Sequence, residues 1–113
     1  MKYFAHKTGP FKKWLSKLDA VTRWRIFARI DAAAASGHFG DHKPLGGGLF
    51  EMRFNFGHGY RVYYGFWRGL LLLLLLGGDK SGQDADIERA RAILANTVQQ
   101  LDKKAQHEQD NRH

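Results

Sequence analysis

Two short stretches on either side of a turn carry the side chains best suited to chemistry. In "LFEMRFNF" (49–56), Glu51, Arg53 and Asn55 alternate with Met52, Phe54 and Phe56. In "YRVYY" (60–64), Arg61 and Tyr63 alternate with Tyr60, Val62 and Tyr64. Period-2 alternation marks half-buried strands, so the polar set shares one face of a hairpin. A turn centred on His58 in "GHG" would set 56 against 60, 54 against 62 and 52 against 64. Lys80 follows the end of the next apolar run.

Such a set suits phosphoryl chemistry. Cationic groups stabilise a phosphate whose negative charge grows in the transition state, and the planar arginine fork can engage two of its oxygens. Cleaving RNA without a metal also needs the ribose 2′-OH deprotonated and the leaving 5′-oxygen protonated. Glu51, Tyr63, Lys80 or a histidine can supply those transfers. The competing explanation is structural: Glu51, Arg53 and Arg61 as cross-strand ion pairs on a solvated sheet face.

Other polar motifs carry weaker signals. His42 adjoins Lys43, and His58 sits in the turn near Arg61, so either can touch RNA. The histidines show no HxH or HExxH spacing, and neither a metal nor another cofactor is expected. "GGG" (46–48) precedes a strand rather than a helix, which suits a flexible connection better than a phosphate cradle.

Helices and further strands must position this set. A short strand is expected over about Lys2 to His6. Pro10 suits a first helical turn after Thr8 or Gly9, and Phe11, Trp14, Leu15 and Leu18 make one apolar stripe. Asp19 can cap a second helix whose stripe reads Val21, Trp24, Phe27 and Ile30 and which ends at Gly37. The two should form a helical hairpin. "GFWRG" (65–69) reads as a turn into Leu70–Leu76, a run far short of the ~20 apolar residues of a membrane span. Apolar on both faces, the run is read as a buried strand, with Gly77 and Gly78 as punctuation. "SGQDADIERARAILANTVQQL" (81–101) has helical periodicity through Ile87, Ala90, Leu94, Val98 and Leu101, and residues 102–113 read as a frayed polar tail. The layout is α+β: a helical hairpin, a mainly antiparallel sheet and a C-terminal helix, with the helices on one side, in a single domain over 1–101.

Composition narrows the class. A chain of 113 residues with 43% hydrophobic content can build a core unaided, and the absence of cysteine excludes disulfides and thiolate chemistry. The N-terminal stretch lacks the apolar segment of a secretory signal, and a cytoplasmic location is expected. The net charge of +7 points to a polyanionic partner, and the basic residues crowd the first third of the chain.

In their order along the chain, "FKKWLSKLD", "RWRIFARI", "GDHKPLGGGLFEMRFNFGHGYRVYY" and "LLGGDKSGQDADIERA" resemble the RelE/HigB-like toxins of bacterial toxin–antitoxin modules, in particular the small addiction-module killer group. The resemblance runs from about Phe11 to Val98. It implies an mRNA interferase that cuts messages on the ribosome and is held inactive by a cognate antitoxin. Operator DNA would be bound only through that antitoxin, and no membrane would be involved. The group's polar residues match at Lys43, Glu51, Arg53, Arg61, Tyr63, Lys80 and Gln83, while its usual "GPGYR" is here "GHGYR" through His58. Two rivals remain: a ParE-like gyrase poison of the same fold, and a basic nucleic-acid-binding regulator without catalysis. Arg53, Arg61 and Lys80 favour the nuclease.

Overall fold

The computed structural model describes residues 2–110. The order is β1 (Phe4–Lys7), α1 (Gly9–Ser16), α2 (Ala20–Ser36), β2 (His42–Gly46), β3 (Leu49–Arg53), β4 (Arg61–Trp67), β5 (Leu71–Gly78), a 3-10 turn (Lys80–Gly82) and α3 (Gln83–Asp110). The five strands form one sheet in the order β1-β5-β4-β3-β2. Only β1 runs parallel to its neighbour; the other three pairings are antiparallel.

Local chemistry starts the helices where the sequence suggests. The Thr8 hydroxyl accepts from the Phe11 amide and donates to the Leu75 carbonyl at 2.7 Å, tying the α1 cap to β5. Asp19 accepts from the Thr22 amide at the start of α2. On α2, however, the inward stripe is Ile26, Ile30 and Ala33, with Phe27 partly covered, while Val21 and Trp24 face solvent. Both stripes have helical spacing, and the sheet's position decides between them.

The expectation of helices on one side is corrected. The α1–α2 hairpin packs on one face against Met52, Phe54, Val62, Tyr64, Leu72 and Leu74. Helix α3 covers the other, over Leu49, Tyr63, Leu73, Leu75 and Leu76. A strand with leucine at both parities has two faces to bury, and one helical layer covers only one. A register shift between Tyr63 and Tyr64 lets Leu75 and Leu76 both face α3.

Gly77 and Gly78 belong to β5 rather than ending it. A Cβ at Gly77 would lie 2.1 Å from the Trp14 ring, and one at Gly78 would lie 2.0 Å from Asp86 Oδ2. Each glycine therefore admits a side chain from a different helical layer.

Three further expectations shift. "GFWRG" is mostly strand, because β4 continues to Trp67 and turns only at Arg68–Leu70. "HKPLG" forms an edge strand, and "GGG" makes the tight return into β3. Helix α3 continues beyond Leu101 to Asp110 through strong helix formers, so only the last part of the expected tail, 111–113, lies outside the described residues. Among the described residues, no helix is long and apolar enough to cross a membrane.

Candidate active site

The hairpin register differs from the expected one by two residues. Glu51 faces Tyr63, Met52 faces Val62 and Arg53 faces Arg61. Beyond them the Phe54 amide donates to the Tyr60 carbonyl at 3.0 Å, and the Gly59 amide donates to Phe56 at 3.1 Å. The loop is thus centred on Gly57 rather than His58. A two-residue slip leaves the paired side chains on their expected faces, because the strand period is 2. Glu51, Arg53, Arg61 and Tyr63 still share one face, with Lys43 beside Glu51 on β2, whereas Asn55 lies past the end of β3 and lines a cleft on the α2 side.

That face is not solvated. Glu51 and Tyr63 are each 0% exposed and Arg61 is 9% exposed, under the start of α3. Of the structural explanation, the cross-strand ion pair of Glu51 and Arg61 is present but lies beneath the third helix rather than in solvent, while Arg53 pairs with Asp41 instead. Glu51 is held from two sides. Gln83 Nε2 donates to its Oε2 at 2.7 Å, and Arg61 Nε faces its Oε1 at 3.5 Å, an ion pair too long for a good hydrogen bond. Arg61 Nη1 donates to the Gly59 and Tyr60 carbonyls, at 3.1 and 3.3 Å. Glu51 Oε1, Arg61 Nε and Tyr63 Oη make no hydrogen bond to any described residue. A native fold carries few buried polar atoms of this kind, and two of these three, Glu51 Oε1 and Arg61 Nε, face each other as an ion pair.

Burial, followed by the nearby Glu51 and Asp86 carboxylates, pushes the Tyr63 phenol well above its ordinary value. At neutral pH it keeps its proton and does not serve as a base. Asp86, which sequence reasoning missed, lies against Gly78 and Gly82, and desolvation raises its carboxyl. Asp79 was missed as well. It accepts from the Ser81 amide and hydroxyl, which together lower its pKa. The signal for Asp79 was available in "DKS", an aspartate two residues before a serine in a turn. Asp86 had no such signal, because its role depends on the packing of α3.

Around this buried group lies an accessible rim. The Lys80 stem runs across Gly59, where a Cβ would meet its Cδ at 2.7 Å, and the residue is exposed. The 3-10 turn thereby aims a cation along the hairpin loop that Arg61 braces from inside. His58 is exposed at the loop and Lys43 on the edge strand. Arg53 turns outward to Asp41, Nη2 to Oδ1 at 2.9 Å, which separates it from the like charge of Arg61 opposite. The structure therefore brings together Glu51, Arg61, Tyr63 and Gln83, sets Lys80 beside them, and leaves Lys43, His58 and Arg53 around the edge.

The arrangement can hold an anion at a cationic rim and brace that rim from within. Its fold is RelE-like: the E. coli toxin RelE, solved free as an arginine-substituted double variant, superposes with a TM-score of 0.66 at 18% identity, covering 82% of this chain and 99% of that one. Residues 13–99 match the family described as "Phage derived protein Gp49-like (DUF891)", and the chain belongs to that family. An uncharacterised protein of Haemophilus influenzae is 46% identical over 87 residues, 76% of this chain and 87% of its own length.

Proposed function

We propose that this protein is the toxin of a toxin–antitoxin module and acts as an mRNA interferase, cutting messages during translation. The observation that carries the reading is the Glu51–Arg61–Tyr63–Gln83 cluster under a lysine-bearing rim, in a RelE-like fold. In this reading the scissile phosphate rests against Lys80 and the exposed edge of Arg61, with Arg53 and Lys43 holding the strand on either side. The 2′-oxygen attacks phosphorus as it loses its proton, the bond to the 5′-oxygen breaks, and that oxygen takes up a proton. The products are a 2′,3′-cyclic phosphate, or the 3′-phosphate it hydrolyses to, and a 5′-hydroxyl. No metal takes part.

Burial divides the labour. Glu51 and Tyr63 are closed off from solvent and serve as positioning residues, with Glu51 setting the Arg61 guanidinium and the 3-10 turn through Gln83. Proton transfers fall to accessible groups, Lys80 and His58. A cognate antitoxin neutralises the cationic rim, and operator DNA is bound through that antitoxin, not by this chain.

Expression in cells without the antitoxin tests the function. Pulse labelling should show protein synthesis falling first, with messages cut. DNA synthesis falling first over intact messages would instead select gyrase poisoning.

A further inference from the structure

At the hairpin end of the sheet, on the face opposite the candidate active site, α2 and the chain after β3 enclose a cleft. It is lined by Trp24, Arg25, Ala28, Arg29, Asn55 and the Phe54 and Phe56 rings. Trp24 is 72% exposed, an unusual position for the largest side chain. The Arg25 guanidinium lies 3.7 Å from the centre of the Phe56 ring, and that of Arg29 lies 4.3 Å from the centre of Phe54. Among the described residues, no acidic side chain lines the cleft. Among the described residues Arg25 has no ion pair. Arg29 donates to the Phe39 and Asp41 carbonyls and to the Arg53 carbonyl, so the cleft wall is tied to the backbone of the active-site strand.

We infer that this cleft binds single-stranded RNA. An exposed indole offers a stacking platform for any base. The Arg25 guanidinium, over the Phe56 ring, keeps its edge free for phosphate, whereas Arg29 spends its donors on backbone carbonyls and shapes the wall; Asn55 presents donors and acceptors to a base edge. An exposed apolar helix face also suits a partner helix, but the Arg25 cation, without an ion pair among the described residues, matches a phosphate backbone better. Asn55 is two residues past Arg53, so a strand seated in the cleft continues over the hairpin edge toward the active site. The inference deepens the nuclease reading: this cleft would hold the message upstream or downstream of the cut.

The probe is a fluorescent, 2′-O-methylated single-stranded RNA of about 12 nucleotides, within the usual site size of such grooves. It cannot be cleaved, so binding is read separately from catalysis. Trp24→Ala should weaken binding about 5- to 150-fold, the range for losing one base–aromatic stack. Arg25→Gln should lower the slope of log affinity against log salt by about 0.7. Both variants should melt like the wild type, and binding of the duplexed probe should ignore Trp24. If both variants bind the single strand as the wild type does, the inference is wrong. Unchanged RNA binding with loss of a co-expressed protein partner would assign the cleft to that partner and equally overturn it. Message cleavage that persists while the cleft binds no RNA would sink this inference alone. RNA binding at the cleft without cleavage would sink the nuclease reading alone.

Discussion

The two faces of the sheet are built from the same five strands and do opposite things. Under α1 and α2 the interior of the face is hydrocarbon and aromatic, with Phe39 stacked on Tyr64 at 4.9 Å and Phe54, Val62 and Leu74 sealed beneath. Under α3 an equally covered face admits a carboxylate, a guanidinium and a phenol with unmet hydrogen bonds. Burying such groups costs stability that hydrocarbon at the same positions would not. The interior under α1 and α2 is therefore shaped by packing, and the α3 face gives up some stability to hold a charged cluster at its edge.

Breaking each face should give different signatures. Phe11→Ala, on the hydrocarbon face, should cost about 3–5 kcal/mol in denaturant unfolding, because a fully buried ring leaves a cavity. Glu51→Ala should cost about 2–4 kcal/mol, somewhat under the usual penalty for stranding a buried charge because Arg61 keeps an edge to solvent. The sharper comparison is the double change Glu51→Leu with Arg61→Met. Stability should return to within about 1 kcal/mol of wild type or exceed it, while cleavage stays lost. No hydrocarbon substitution on the α1–α2 face should behave that way. Arg61→Ala by itself should lower both stability and activity, so its melting temperature must accompany any kinetic result.

Smaller effects sit at the seams. Thr8→Ala removes a helix cap and a buried bond to Leu75 at once, and should cost about 1–2 kcal/mol. Asp86 carries the sign of the α3 face. Its carboxyl is raised by desolvation, against a partial offset from Arg89, so the folded chain holds the Asp86 proton more tightly than the unfolded chain does. Its stabilising contribution is full below the usual carboxylate range and is lost as pH rises through the raised value. Asp86→Asn should then melt slightly higher than wild type at neutral pH, with the gain vanishing in acid. Asp79 runs the opposite way, its contribution lost as pH falls through its lowered value.

The parts legible in the sequence were those with local causes. Period-2 alternation placed Glu51, Arg61 and Tyr63 on one face even though the register slipped, because a slip of two preserves parity. Thr8 and Asp19 announced their helices through capping chemistry. What depended on distant packing was not legible. The burial of Glu51 and Tyr63 follows from α3 crossing their face, and nothing near residue 51 announces a helix starting at residue 83. Trp24 read as core because it has helical spacing with Phe27 and Ile30, yet Ile26 has helical spacing with Ile30 as well, and only the position of the sheet separates the two. "GG" after the leucines read as punctuation, whereas Trp14 and Asp86 need the space.

The central claim is that the α3 face of the sheet and its lysine-bearing rim form an RNA-cleaving site. The direct test is cleavage of a defined message on purified translating ribosomes by wild type and Lys80→Ala side by side, in EDTA with ribosome integrity controlled. Lys80 is exposed, so the variant should match wild-type stability within about 0.5 kcal/mol. Wild type should leave 2′,3′-cyclic phosphate or 3′-phosphate ends and 5′-hydroxyls, and Lys80→Ala should cut about 100-fold more slowly or worse, the scale for losing one preorganised charge-stabilising donor. A wild-type chain that leaves the message intact, or a Lys80→Ala variant that cuts at the wild-type rate, would contradict the account.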